Sequence, residues 1–142
     1  MAPGEPFSQR RIGLTGGIAS GKSSVGHWLA QQGLPVLDAD QFAREALAPG
    51  RPATTSVMQR YGAGVQAEGG AAVDRAALGQ IVFQDPAERQ WLEQLIHPIV
   101  RERFNQELSL HDKTPAVVLM IPLLFEAGLE SLCSEIWLVD CD

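Results

Sequence analysis

The sequence predicts an α/β fold with a parallel sheet, and three features of the chain carry that expectation. The apolar run Ile12-Gly13-Leu14-Thr15 enters a glycine-rich segment, and Val25, Trp28 and Leu29 follow it at helical spacing. Leu34-Pro35-Val36-Leu37 then reads as a second short strand, making a βαβ unit whose strands run parallel through a right-handed crossover. Further on, Ala116-Val117-Val118-Leu119-Met120-Ile121 is a continuous apolar run, as a parallel strand buried on both faces requires.

The first strand is expected over Arg10–Thr15. Residues 1–9 before it, with Pro3, Gly4 and Pro6 and no apolar core, read as a disordered lead-in and not a secretory signal. Gly16-Gly17-Ile18-Ala19-Ser20-Gly21-Lys22-Ser23 fits G-x-x-x-x-G-K-[ST], the phosphate-binding P-loop. A strand delivers this loop, its backbone N–H groups face phosphate, and the N-terminus of the following helix adds its positive dipole end. The helix is expected over Lys22–Gln32, with Gly33 as its C-cap. The strand after it should end at Asp38 and lie beside the P-loop strand. Asp38-Ala39-Asp40 then opens a helix through Leu47, with Phe42, Ala43, Ala46 and Leu47 on its apolar side and Pro49-Gly50 as its stop.

Residues 52–112 break the α/β alternation and read as a helical insertion. Thr55–Tyr61 is expected to be helical, and Gly62 to Gly70 to be a loop or small hairpin turning at Gly69-Gly70. Asp74 should cap a helix through Phe83. Asp85-Pro86-Ala87-Glu88 should begin another, with Trp91, Leu92, Leu95 and Ile96 as its stripe. Pro98 is expected to interrupt that helix before Ile99, Val100, Phe104 and Leu108 resume the pattern. After the apolar third strand, Glu135–Asp140 reads as a fourth. The chain then stops with no covering helix, which reads as a domain lacking its last elements. The whole is a P-loop NTPase-type three-layer α/β/α fold: a kinase-like domain over residues 10–142, interrupted by the insertion.

Composition bounds the function. The chain has 142 residues, 45% of them hydrophobic, enough for one real core. No apolar run is long enough to span a membrane. The net charge of −6 argues against a general nucleic-acid groove but leaves room for a phosphorylated substrate, which needs only local positive charge. The chain has only two lysines, Lys22 and Lys113, and one stands in the P-loop. Cys133 and Cys141 show no metal-ligand spacing and read as buried free thiols of a cytoplasmic protein.

Each polar group near the loop has a chemical role open to it. Lys22 can reach the β- and γ-phosphates of ATP, and the Ser23 hydroxyl can ligate Mg²⁺. The amides of Gly17, Ile18, Ala19, Ser20 and Gly21 can cradle phosphate oxygens. Ser24 can approach the α-phosphate or simply be a polar first-turn residue. Asp38 and Asp40 stand at the carboxyl end of the second strand, the edge where open α/β sheets bind ligands. One can hold Mg²⁺ through water and the other can accept the proton of an attacking hydroxyl, and either alone could be a helix cap. Arg44, four residues after Asp40, can steer substrate phosphate, orient Asp40 or form a surface ion pair. His97 is a substrate-contact residue or a structural hydrogen-bonder.

Together these segments resemble the dephospho-CoA kinase family. The matching stretches are Ile12 to Val25, Val36-Leu37-Asp38-Ala39-Asp40, Ala43-Arg44-Glu45, Leu95-Ile96-His97-Pro98-Ile99-Val100 and Ile121-Pro122-Leu123-Leu124-Phe125-Glu126. The resemblance implies ATP-dependent phosphorylation of the ribose 3′-hydroxyl of dephospho-CoA with Mg²⁺; a cytoplasmic monomer is expected, with an oligomer left open. It implies Asp40 as the base and residues 52–112 as the part that binds the CoA moiety. The family's lid lies beyond the position of Asp142, so weak turnover is expected of these 142 residues alone. Two residues depart from the pattern. Ala19 replaces a glycine common in the family loop. Met120 stands where many members carry Asp, which leaves Ser23, Asp38 and water to hold the cation. Two other readings remain open: a P-loop kinase acting on a nucleoside or sugar, and a non-catalytic nucleotide-binding module.

Overall fold

The computed structural model describes residues 9–16, 21–122 and 128–139. The chain divides into two compact units, residues 1–40 with 103–142 and residues 41–102.

The first unit is built on four strands: β1 (Arg10–Gly16), β2 (Val36–Asp38), β3 (Ala116–Met120) and β4 (Glu135–Val139). All pair in parallel, in the order β2-β3-β1-β4. The second strand is therefore not beside the P-loop strand as expected, because β3 lies between them. Val117, Val118 and Leu119 are fully buried although they alternate between the two faces of β3, and such a strand fits only the centre of a sheet covered on both sides. The register brings Leu14 opposite Met120 and Asp38 opposite Met120 from the other side.

Helix α1 (Lys22–Gln31) follows the loop. Gly21 before it has φ of 92°, a left-handed conformation that a side chain would strain. Gly26 and Leu29 are the buried residues of α1, whereas Trp28 is 56% exposed and not part of the apolar stripe expected for it. Gly26 allows the close approach. A Cβ there would lie 2.6 Å from the Met120 sulfur. Leu14, Leu29, Val118 and Met120 form the core beneath α1. Met120 thus serves packing. At the sheet edge β4 leaves Ile136, Trp137 and Leu138 exposed. Cys133, just before it, is a half-buried free thiol whose pKa burial pushes up to about 11, while Cys141 lies outside the described residues.

Helix α2 (Ala39–Ala46) begins directly at the end of β2. The second unit then holds α3 (Pro52–Tyr61), a 3-10 turn (Gly62–Val65) and α4 (Arg75–Gln84). α3 starts earlier than the periodicity suggests, because Pro52 occupies the first helical position, where its missing N–H costs nothing. The Gly62–Gly70 stretch ends in a small hairpin in which Gln66 bridges Val73. Asp74 caps α4 as expected, accepting the Ala77 N–H at 3.1 Å. Val57, Val65, Val73 and Leu78 are the centre of this unit's core.

Helix α5 (Pro86–Leu110) starts in the second unit and ends in the first. Pro98 does not interrupt it, contrary to expectation. Ile96, Val100, Phe104 and Leu108 recur every fourth residue and are all buried, and that continuous stripe outweighs the one backbone hydrogen bond that Pro98 cannot donate. α3 and α5 are tied by a polar cluster: Arg60 makes two hydrogen bonds to Glu88 at 2.8 Å, and Tyr61 Oη donates to the same carboxylate at 2.6 Å. The Arg60 guanidinium also lies 4.4 Å from the Trp91 ring centre. No helix among the described residues is long and apolar enough to cross a membrane.

Candidate functional site

The carboxyl edge of the sheet is where the polar residues gather. Lys22 is the first residue of α1 and is half-buried. Its Nζ donates to the Ile121 carbonyl at 3.4 Å. Ile121 directly follows β3, and its own N–H donates to the Leu14 carbonyl at 3.0 Å. The P-loop lysine is thereby held against the end of the strand that separates β1 from β2.

Asp38 ends β2 opposite Met120, one residue from that carbonyl. Its Oδ1 accepts the Asp40 backbone N–H at 2.9 Å. Asp38 therefore acts as a cap on the first turn of α2. Asp40 sits in that first turn with its side chain exposed. An acidic residue there is favoured by the free N–H groups of the helix start. Lys22, Asp38 and Asp40 are thus grouped around the end of β3 within one unit.

The other expected residues are placed as follows. Ser23 and Ser24 lie in the first turn of α1, both exposed. Gly17, Ile18, Ala19 and Ser20 lie outside the described residues, as do Leu123 to Glu126. Arg44 is in the last turn of α2, and His97 is half-buried within the unbroken α5. Both belong to the second unit. No group of three or more His, Cys, Asp or Glu residues among the described residues could hold a metal ion. Mg²⁺ needs no such cage. It keeps several waters and takes one or two protein oxygens together with substrate phosphates. A serine hydroxyl at the start of α1 and a carboxylate at the end of β2 suit that demand.

Residue-by-residue reading of the sequence misses two groups. One is the Ile121 carbonyl, since a backbone acceptor leaves no trace in residue identity. The other is Thr15, the last residue but one of β1, which reads only as a strand position. Its hydroxyl is buried and has no hydrogen-bond partner among the described residues. Its place directly before the first loop glycine was the available signal.

A parallel sheet whose first strand feeds a G-x-x-x-x-G-K-S loop into a helix is the framework of the P-loop nucleotide-binding proteins. Residues 10–142 match the family model of dephospho-CoA kinase, and the chain belongs to that family. It is 87% identical over 142 residues to a dephospho-CoA kinase of Synechococcus sp. (strain CC9605), covering 100% of this chain and 69% of that protein. It is 66% identical over 133 residues to that of Parasynechococcus marenigrum (strain WH8102), covering 94% and 66%. Among solved structures, TT1252 from Thermus thermophilus superposes with a TM-score of 0.76 at 39% identity, over 93% of this chain and 65% of that one. Dephospho-CoA kinase from Campylobacter jejuni does so with 0.71 at 26% identity, over 89% and 64%. The chain thus spans about two thirds of the length of the curated relatives it matches.

Proposed function

We propose that this protein transfers the γ-phosphoryl group of ATP to the 3′-hydroxyl of the ribose of dephospho-CoA, forming CoA. The observation that carries this reading is the gathering of Lys22, Asp38 and Asp40 at the end of β3, in a chain of this family.

A ribose hydroxyl is a weak nucleophile, and the transferred phosphoryl group carries charge on its three outer oxygens. Catalysis of such a transfer is mostly positioning and charge stabilisation. Asp40, exposed at the sheet edge, orients the 3′-hydroxyl and accepts its proton. Lys22 leaves the Ile121 carbonyl and offsets charge on the β- and γ-phosphates. The backbone N–H groups of Gly17 to Gly21 cradle those phosphates, and Ser24 meets the α-phosphate. Ser23 and, through water, Asp38 would hold Mg²⁺, which when bound neutralises charge on the phosphate oxygens. Arg44 and His97 contact the acceptor, and residues 52–112 bind the rest of the CoA moiety. Both substrates are small and water-soluble, which supports a cytoplasmic site of action that needs neither nucleic acid nor membrane.

The test is a substrate panel. Purified protein with ATP should convert dephospho-CoA to CoA in clear preference to adenosine or a sugar alcohol. Equal use of all acceptors would assign a different small-molecule kinase. ATP binding with no transfer to any acceptor would assign a non-catalytic module.

A further inference from the structure

Helix α1 and the end of β3 meet at two points, one helical turn apart. Lys22 and Gly26 are four residues apart on α1 and therefore share a face. That face is turned to the sheet. Val25 is half-buried and Gly26 and Leu29 are buried, whereas Ser23, Ser24, His27 and Trp28 are exposed. Along this face Gly26 lies against the Met120 thioether, and Lys22 Nζ donates to the carbonyl of the next residue, Ile121, at 3.4 Å. Two successive residues at the carboxyl end of β3 thus meet the first and second turns of the helix.

The Gly26 contact leaves no room. A Cβ there would lie 2.6 Å from the Met120 sulfur and 3.2 Å from its methyl, but at an ordinary 3.7 Å from Leu14 Cδ2. Met120 is 9% exposed and packs with Leu14, Leu29 and Val118. An interior packed this closely transmits a displacement rather than absorbing it. We propose that the Gly26–Met120 contact sets how deep α1 lies on the sheet, and thereby sets the height of Lys22 Nζ and of the Ser23 hydroxyl at the helix start. Gly26 and Met120 are then positioning residues: they touch no substrate and act through Lys22 and Ser23. This deepens the nucleotide-binding reading above and rests on it. It also gives Met120 a task beyond filling the core, because the residue that seats the helix directly precedes the carbonyl that holds the lysine.

The test is ATP affinity by calorimetry for Gly26→Ala, Met120→Val and the double variant, at a temperature where melting curves show each protein folded. Valine lacks the sulfur and the terminal methyl that a Cβ at position 26 would meet. Gly26→Ala alone should bind ATP about tenfold more weakly than wild type, which corresponds to about 1.4 kcal/mol. Made in the Met120→Val background, the same change should alter affinity by less than about twofold, because the atoms that crowd it are gone. A contact that serves only the fold predicts otherwise: Gly26→Ala melts at a lower temperature, yet its folded form binds ATP as wild type does. That result, an equal loss of affinity in both backgrounds, or a Gly26→Ala protein that does not fold would overturn the proposal. Wild-type protein that binds no ATP would overturn the nucleotide-binding reading itself, and this inference with it.

Discussion

The Asp38 carboxylate accepts the backbone N–H of Asp40 at 2.9 Å, so the first acid of the Asp38-Ala39-Asp40 segment places the second. Two carboxylates that look equivalent in sequence divide the work. One Asp38 oxygen is committed to the start of α2. Asp40, in the first turn of the helix, is left exposed toward solvent.

That division separates two substitutions at Asp38. Asp38→Ala removes the cap and should cost about 1 kcal/mol of stability. Asp38→Asn keeps a side-chain oxygen for the Asp40 N–H and should retain most of that stability. Urea unfolding of both variants checks this, and equal destabilisation of the two would rule out the capping role.

Gly26 should resist the substitution that helices ordinarily welcome. Alanine is favoured over glycine within a helix by about 1 kcal/mol. Here its Cβ would lie 2.6 Å from the Met120 sulfur and 3.2 Å from its terminal methyl, inside the core beneath α1. Overpacking of this kind costs about 1–3 kcal/mol. Gly26→Ala is therefore expected to lose about 1 kcal/mol net, read from the denaturation midpoint. A more stable Gly26→Ala protein would mean that Met120 swings aside freely.

Acid should act on the second unit through Glu88. Hydrogen bonds from Arg60 first, and then from Tyr61, lower its pKa from 4.5 to about 2. A carboxylate with a depressed folded-state pKa adds stability that is complete above its unfolded pKa and is lost as pH falls toward the folded one. The contribution should therefore fade between about pH 4.5 and pH 2. Glu88→Gln should be less stable than wild type at neutral pH, and the difference should shrink across that window. A difference that stays constant from neutral pH down to pH 2 would contradict the assignment.

Much of this was legible in the chain itself. The P-loop motif, the Asp74 cap, the Asp85-Pro86 helix start and the apolar run of β3 each depend on local chemistry, and local chemistry is written in residue order. The strand order was not, because β2 and β3 join the sheet through long-range pairing. The sequence places Asp38 two strands from the P-loop only once Val117, Val118 and Leu119 are seen buried at the centre. The continuity of α5 through Pro98 was missed for a related reason: tertiary burial of Ile96, Val100, Phe104 and Leu108 outweighs one missing N–H. Lys22, Asp38 and Asp40 are candidates from motif and position, and the structure places them near the end of β3. The acceptor that holds Lys22 is not legible in the sequence, since it is a main-chain carbonyl.

The central claim is that Asp40 takes the proton of the attacking ribose hydroxyl. Asp40→Asn keeps the size and the polar contacts of the side chain but cannot accept that proton. Its rate of CoA formation from ATP and dephospho-CoA, measured beside its ATP affinity, tests the claim directly. The account predicts a fall in kcat of about 10²–10⁴-fold with ATP affinity unchanged. Turnover near the wild-type rate would contradict it.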